Sequence, residues 1–205
     1  MSEIVNRIET GSGILGMQRP FVYFGYGLES VPEVMDTILG RSVTAEFGVT
    51  AIKQQLCVQE IDQVPDVPAG AFGGKSPQAI LSETWQRFTD SPFSSYVLKE
   101  TENRGDIVAG TLYKLDVEDM LRVNHWDLTA QPVQATSGSH SSTYPGWRYL
   151  NPLVELADGR QVQTLTVYPE QEVDRVVPGT DYDPFINDEA VTMQVVRETM
   201  DQLDQ

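Results

Sequence analysis

FVYFGYGLES, residues 21–30, sets the architecture of this chain. Its first half is apolar and aromatic, which predicts a buried strand over residues 21–26. Gly25 and Gly27 end that strand, because glycine reaches backbone angles closed to other residues and lets another backbone or a ligand approach closely. Successive N–H groups in such a turn form a concavity that suits an anion. We therefore expect a ligand site, if the chain has one, at this turn.

Helices are predicted at four places after the turn, one of them from Ser76-Pro77 to about Phe88. The other three are as follows. A helix is predicted over residues 31–39, with Ser30 as its capping residue and Pro32 in its first turn. A second helix is predicted from Asp116, as its cap, to about Val123. The third lies near the C-terminus, where apolar residues recur at helical spacing: Ile186, Ala190, Met193, Val196, Met200 and Leu203. Its acidic residues predict a solvated outer face, with the apolar stripe docked on the domain.

Strand-like runs make up much of the remaining sequence. They cover residues 43–58 with a break near Gly48, and residues 96–98, 107–113, 148–156 and 161–168. Asn103-Arg104-Gly105 and Ala157-Asp158-Gly159-Arg160 predict two hairpins. Because the strands adjoin one another instead of alternating with helices, a doubly wound parallel sheet is disfavoured. We predict an α+β domain built on a small, mostly antiparallel β-barrel with flanking helices.

The composition limits the classes of function. The chain has 205 residues, of which 40% are hydrophobic, enough for one domain with a core. The 30 Asp and Glu residues against 14 Lys and Arg give a formal net charge of −16, which repels nucleic acid and anionic membranes. We therefore expect neither as a partner. The single cysteine, Cys57, lies in an apolar run and predicts a buried thiol, with no internal disulfide and no multi-cysteine metal site.

The layout of the chain is predicted to be simple. We expect a flexible leader over residues 1–19 and one domain over residues 20–205, with insertions near 62–93 and 129–147 and an acidic C-terminal helix. Residues 11–16 match the dinucleotide pattern GxGxxG but lack the preceding strand that this motif needs. No signal peptide and no membrane-spanning run is visible, which indicates a cytoplasmic protein.

Three segments, in order, resemble the gamma-glutamylcyclotransferase-like family. The first, Tyr23-Phe24-Gly25-Tyr26-Gly27, resembles the family's opening Tyr-Phe-Ala-Tyr-Gly-Ser-Asn-Leu. The second, VAGTLYKL at residues 108–115, is similar to the family's V-x-G-x-L-Y-x-L strand, and a short helix follows it. The third is the pair of runs at 149–154 and 162–168 around an Asp-Gly turn, which is similar to the family's late hairpin. Together the three segments span most of residues 21–168.

The resemblance implies a small mixed β-barrel and an intramolecular acyl transfer. In such enzymes a carboxylate takes a proton from the α-ammonium of a γ-glutamyl group, and the freed amine attacks its own γ-carbonyl. The products are 5-oxoproline and a released amine or amino acid, as in a transferase or lyase of the cyclising type. The resemblance implies a small-molecule γ-glutamyl-type substrate and no metal or cofactor.

The resemblance also implies which residues act. The family's acid follows its short helix, and counting from Gly110 places Asp127 at that position as the candidate general base. The backbone of the opening turn would hold the substrate carboxylate, through Tyr23, Phe24, Gly25, Tyr26, Gly27 and Leu28. Tyr182 lies where some members have a tyrosine that reaches the substrate. The sequence departs from the pattern by having aspartate for glutamate at 127 and by placing the charge of Glu29 beside the turn.

Alternatives stay open for each of these residues. Asp127 could be an exposed aspartate that satisfies nearby N–H groups, and Gly25 and Gly27 could form a tight turn without a ligand. His125 is interpreted as a surface or capping histidine, and the serines around His140 predict a mobile loop that could cover the pocket. A non-catalytic relative, either a monomer or a homodimer, could use the same pocket to bind a small ligand or a protein.

Overall fold

The computed structural model describes residues 20–60, 81, 83–130, 147–169 and 175–203. The predicted leader and most of both predicted insertions lie outside these ranges. Among the described helices, none is both long enough and apolar enough to cross a membrane.

The described residues form an α+β domain of antiparallel sheets and helices. The strands are β1 (Phe21–Gly25), β2 (Ala45–Ile52), β3 (Gln54–Glu60), β4 (Ser94–Glu100), β5 (Ile107–Leu115), β6 (Trp147–Leu150), β7 (Leu153–Glu155), β8 (Gln161–Gln163), β9 (Thr166–Pro169) and β10 (Val176–Val177). The helices are α1 (Pro32–Leu39), α2 (Val117–Ala130) and α3 (Glu189–Leu203), and a 3-10 turn spans Gly27–Ser30.

Three sheets contain these strands. The largest has the order β1-β5-β2-β7-β8, so that β5 lies between β1 and β2. A second sheet has the order β10-β3-β4, and β6 pairs with β9 in a third. All of these pairings are antiparallel, which confirms the predicted α+β class. In the described part of the chain the sheets do not close on themselves, so the predicted barrel is not confirmed.

Side chains of β1 alternate between two hydrophobic cores, as the period of a strand requires. Tyr23 belongs to a core on the helical side, which includes Val34, Met35, Ile38, Val123, Trp126, Val196 and Met200. Phe24 belongs to a core between sheets, which includes Leu56, Leu98, Leu112, Val154 and Val162. The turn that follows β1 therefore begins between two packed layers.

The structure differs from the prediction in one detail at the start of α1 and in one detail inside β2. The helix is confirmed, but the hydroxyl of Ser30 does not cap it and donates instead to the carbonyl of Gly27 at 2.7 Å. The predicted break near Gly48 is a bulge inside β2, where the register shifts between Glu46 and Val49. The chain turns into β3 at Lys53.

One predicted hairpin is confirmed and the other is wrong. β7 and β8 pair across the turn at residues 157–160, and β6 and β9 continue the two runs in a separate sheet. The chain also turns at residues 103–106, but β4 pairs with β3 while β5 pairs with β1 and β2. A local turn signal fixes where the chain reverses but not which strand becomes the partner.

Helix α2 begins as predicted but runs further. Asp116 accepts a hydrogen bond from the N–H of Asp119, and Asp119 accepts one from the N–H of Asp116, both at 2.9 Å. This reciprocal cap fixes the start of the helix, and the N–H of Asp119 is the first cause that holds the pKa of Asp116 below its ordinary value. The helix continues past Val123 because Trp126 is buried in the core on the helical side. Asp127 therefore lies inside α2 and not after it.

Two further predictions are confirmed. Helix α3 buries Met193, Val196 and Met200 against the helical-side core, as its apolar spacing predicted. Cys57 is a buried cysteine in β3 that is not part of a disulfide.

Candidate functional site

Close backbone contacts determine the shape of the turn after β1. A Cβ atom at Gly25 would lie 2.4 Å from the carbonyl oxygen of Glu29 and 2.9 Å from the ring of Tyr113, so the turn folds back onto its own strand. Gly27 has a φ of 55°, in the left-handed region that favours glycine. Both glycines are therefore required by the fold itself, and this requirement alone does not indicate a ligand.

Tyr182, which the family resemblance implied to be near the substrate, contacts this turn. The N–H of Gly27 donates to the Tyr182 hydroxyl at 3.2 Å, and that hydroxyl donates to the carbonyl of Ala109 at 2.8 Å. The Tyr182 ring packs edge-to-face on Tyr96, with 5.1 Å between ring centroids. Burial raises the pKa of the Tyr182 phenol, although its hydrogen bond with Gly27 acts in the opposite direction. One N–H group of the predicted cradle is thus already paired within the protein.

Asp127 is buried, with 2% of its surface exposed, so the interpretation as an exposed aspartate is wrong. Its Oδ2 atom is buried and has no hydrogen-bond partner among the described residues. A buried carboxyl oxygen without a partner is costly, and the cost rises if the group is ionised. Asp127 therefore lies where a functional or strained group would be expected.

Glu29 also points into the protein, toward Asp127. It is 7% exposed although it lies on the 3-10 turn, and a hydrogen bond joins the two carboxyl groups. The Trp126 side chain also hydrogen-bonds to Glu29, and the Tyr23 hydroxyl donates to its Oε2 atom at 3.4 Å. The negative charge that the sequence placed beside the turn is therefore one half of a buried carboxyl pair.

Burial dominates the protonation of this pair. It raises the pKa of Glu29 from 4.5 to about 7, while hydrogen bonds with Asp127, Trp126 and Tyr23 oppose the rise. Burial, followed by the charge of Glu29, raises the pKa of Asp127 well above 3.8. Two adjacent carboxylates in a dry site repel one another, so the pair holds a proton near neutral pH.

Phenol groups surround the carboxyl pair. Burial and the charges of the two carboxyl groups raise the pKa values of Tyr23 and Tyr26 well above 10, so both phenols are neutral. The arrangement combines an anionic acceptor with neutral hydrogen-bond donors. Such a site can bind a cationic amine and exchange a proton with it.

The structure brings some of the predicted residues together and separates others. Tyr23, Gly27, Tyr182 and Asp127 are connected to the turn or the carboxyl pair by the contacts above. The side chains of Phe24 and Tyr26 pack in the core between the sheets, and the side chain of Leu28 packs against the core on the helical side. The side chain of His125 and the serine-rich segment around residue 140 lie outside what the structure describes.

Sequence reasoning missed the orientation of Glu29 and the contact from Trp126. The sequence shows only the charge of Glu29 beside the glycine turn, which does not indicate whether the side chain faces solvent or the core. Among the described residues, no three His, Cys, Asp or Glu side chains come together as metal ligands would.

These observations define a class: an antiparallel α+β domain with a buried carboxyl pair beside a glycine turn. No protein-family model matches the chain, and no curated protein matches it. Among solved structures, a gamma-glutamyl cyclotransferase has 15% identity and a TM-score of 0.45, covering 78% of this chain and 72% of that one. An uncharacterized protein from Homo sapiens gives 13% identity with the same coverage and TM-score.

A protein from Arabidopsis thaliana is also similar, with 11% identity and a TM-score of 0.39, over 77% of this chain and 66% of that one. At these identities and TM-scores the likenesses carry no functional argument. The function proposed below is argued from the residues of this chain.

Proposed function

We propose that this chain is a gamma-glutamylcyclotransferase-like enzyme that cyclises a γ-glutamyl amine or dipeptide to 5-oxoproline. The observation that carries this proposal is the buried pair of Glu29 and Asp127 beside the Gly25–Gly27 turn. The turn and the VAGTLYKL strand at residues 108–115 are also the segments in which the sequence resembles that family.

The reaction needs a proton acceptor for an ammonium group. An α-ammonium has a pKa of about 8, so most of it is protonated at neutral pH and cannot attack a carbonyl. The carboxyl pair removes this proton, and the freed amine nitrogen forms a bond to the γ-carbonyl carbon. The pair gives the proton to the leaving nitrogen, and the bond from the carbon to that nitrogen breaks. The attacking nitrogen loses a second proton to the pair as it becomes the lactam N–H, and this proton passes to the released amine, which leaves as an ammonium ion.

The environment of the pair suits this exchange. A general base acts best when its pKa lies near the working pH, and burial raises the pKa of Glu29 to about 7. An ordinary exposed carboxylate, with a pKa of about 4, would be a weaker base by roughly three pKa units. The site therefore holds a stronger acceptor than an exposed carboxylate would be.

The substrate carboxylate would bind at the backbone of the turn, between Tyr23 and Leu28. There it would take the N–H of Gly27 from the Tyr182 hydroxyl, whose own O–H would still donate to the carbonyl of Ala109. Charge-assisted hydrogen bonds are about twice as strong as neutral ones, so a carboxylate is a better acceptor for this N–H than a phenol.

The test is release of 5-oxoproline from a panel of γ-glutamyl amines and dipeptides. The variant that carries both E29Q and D127N should lose about 10²- to 10⁴-fold in kcat/KM, the usual contribution of general acid–base catalysis. E102Q is the matched control, because Glu102 is fully exposed and pairs with Lys53 on the surface. Equal turnover by the wild type and the double variant would refute the proposal.

A second candidate is binding without catalysis. It is favoured by the burial of Asp127 and by the hydrogen bond that already occupies the N–H of Gly27. A protein of this kind would show a ligand-induced rise in Tm with γ-glutamyl compounds but no 5-oxoproline. The same substrate panel therefore separates the two candidates.

A further inference from the structure

We propose that Glu29 is the proton acceptor of this site and that Asp127 is a positioning residue that holds its own proton against Glu29. The inference rests on the proposed function for its catalytic meaning, but the location of the proton can be measured without turnover. It differs from the sequence-based expectation, in which Asp127 is the base.

Hydrogen-bond donors converge on Glu29. The Tyr23 hydroxyl donates to its Oε2 atom, and the side chain of Trp126, whose indole can only donate, also bonds to it. Hydrogen bonds to the ionised form of a carboxyl group stabilise that form. These donors therefore stabilise the negative charge of the pair on Glu29 more than on a group that lacks them.

Asp127 has the opposite surroundings. Its Oδ2 atom is buried without a hydrogen-bond partner in the described part of the chain. The hydrogen bond between the two carboxyl groups needs a proton, because two carboxylates are both acceptors. If Asp127 keeps that proton, it becomes a donor to Glu29 and avoids an unsupported buried charge.

The groups around the pair do not offset a second negative charge. The described titratable groups that feel the charge of Glu29 or Asp127 are the phenols of Tyr23, Tyr26, Tyr113 and Tyr182, each with its pKa raised chiefly by burial. All four are neutral near pH 7. No described lysine or arginine is among the causes that shift the pKa of either carboxyl group.

The position of the two residues agrees with these roles. Glu29 lies on the 3-10 turn, two residues after Gly27, where the substrate would bind. Asp127 belongs to α2 and reaches the turn through Glu29. In the reaction, Glu29 accepts, one after the other, the two protons that the attacking nitrogen loses, and it passes each of them to the leaving nitrogen. Asp127 keeps its own proton throughout.

Single variants separate the two roles. In D127N the amide N–H replaces the O–H as the donor to Glu29, so kcat/KM should fall, but by no more than about tenfold. In E29Q the acceptor is lost, and kcat/KM should fall by about 10²- to 10⁴-fold. The acid limb of the pH profile should persist in D127N, because Glu29 produces it. The reverse order, with D127N inactive and E29Q active, would overturn the assignment.

Isotope-edited infrared spectroscopy at pH 8 locates the proton directly. Exposed carboxyl groups are ionised at this pH, so a protonated carboxyl band comes from a buried group. The band should shift when aspartate carries ¹³C in its side-chain carboxyl and should not shift when glutamate does. It should also disappear in D127N. A shift with labelled glutamate, or no band at all, would overturn the inference.

The two kinds of failure can be told apart. A wild-type protein that releases no 5-oxoproline from any substrate refutes the proposed function and, with it, the role of Glu29 as a catalytic acceptor. The infrared band still decides where the proton lies. Turnover by the wild type together with the reversed order of variants refutes only the assignment within the pair.

Discussion

Replacing Glu29 by glutamine should change the pH dependence of stability. The free energy of unfolding of E29Q, measured relative to wild type, should be higher at pH 8 than at pH 5. Burial raises the pKa of this carboxyl from 4.5 to about 7. Between these values the unfolded chain releases the proton while the folded chain keeps it, so stability falls as the pH rises. The stability linked to this group is complete below about pH 4.5 and is lost as the pH rises through about 7.

The size of the effect follows from the shift. A rise of the pKa from 4.5 to about 7 corresponds to about 3 kcal/mol, most of which falls between pH 5 and pH 8. Glutamine has the same shape but does not titrate, and its amide can donate to Asp127 while its carbonyl accepts from Tyr23 and Trp126. The free energy of unfolding of E29Q, measured against wild type, should therefore rise by about 2–3 kcal/mol from pH 5 to pH 8.

The assay is urea unfolding at the two pH values, followed by tryptophan fluorescence and circular dichroism. The stability of E102Q should change with pH in parallel with that of the wild type, because the substitution removes an exposed carboxyl group that pairs with Lys53. If the E29Q and wild-type stabilities change in parallel between pH 5 and pH 8, then Glu29 is not a buried group with a raised pKa. The account of the carboxyl pair would then be wrong.

Three other substitutions test the surroundings of the pair by urea unfolding. Y182F leaves the N–H of Gly27 and the carbonyl of Ala109 without partners and should cost about 1–3 kcal/mol, whereas Y96F, which removes only an exposed hydrogen bond, should cost less. G25A should cost about 1–3 kcal/mol or more, because its Cβ would meet backbone 2.4 Å away, and an unchanged stability would contradict the described turn. D116A should cost about 1 kcal/mol through loss of the α2 cap, and a value near zero would show that the cap is not needed.

The parts of the fold that the sequence predicted correctly depend on local signals. The buried strand from Phe21, the helix after it and the C-terminal amphipathic helix each have a strong period, and the Asp-Gly turn fixes a two-strand reversal. The end of α2 was missed because the polar residues after Val123 give no helical period, while burial of Trp126 in the core extends the helix. Tertiary packing overrides local pattern at such positions.

The location of the candidate site could be predicted from the sequence, but the contacts between its side chains could not. The glycine turn and Asp127 were both identified, and the structure brings them together through Glu29. A single sequence shows that Glu29 carries a charge but not whether its side chain faces solvent or the core. That orientation follows from the 3-10 turn, which places Glu29 and Tyr23, six residues apart, within hydrogen-bond distance.

The hydroxyl of Tyr182 would make the turn selective for the ligand that we propose. Because this phenol already accepts from the N–H of Gly27, an incoming group would compete with it, and binding would exchange one acceptor for another. A neutral carbonyl oxygen would gain almost nothing by the exchange, whereas an anionic oxygen forms a hydrogen bond about twice as strong. Under the proposed function, the Tyr182 hydroxyl would therefore exclude weak hydrogen-bond acceptors without any steric barrier.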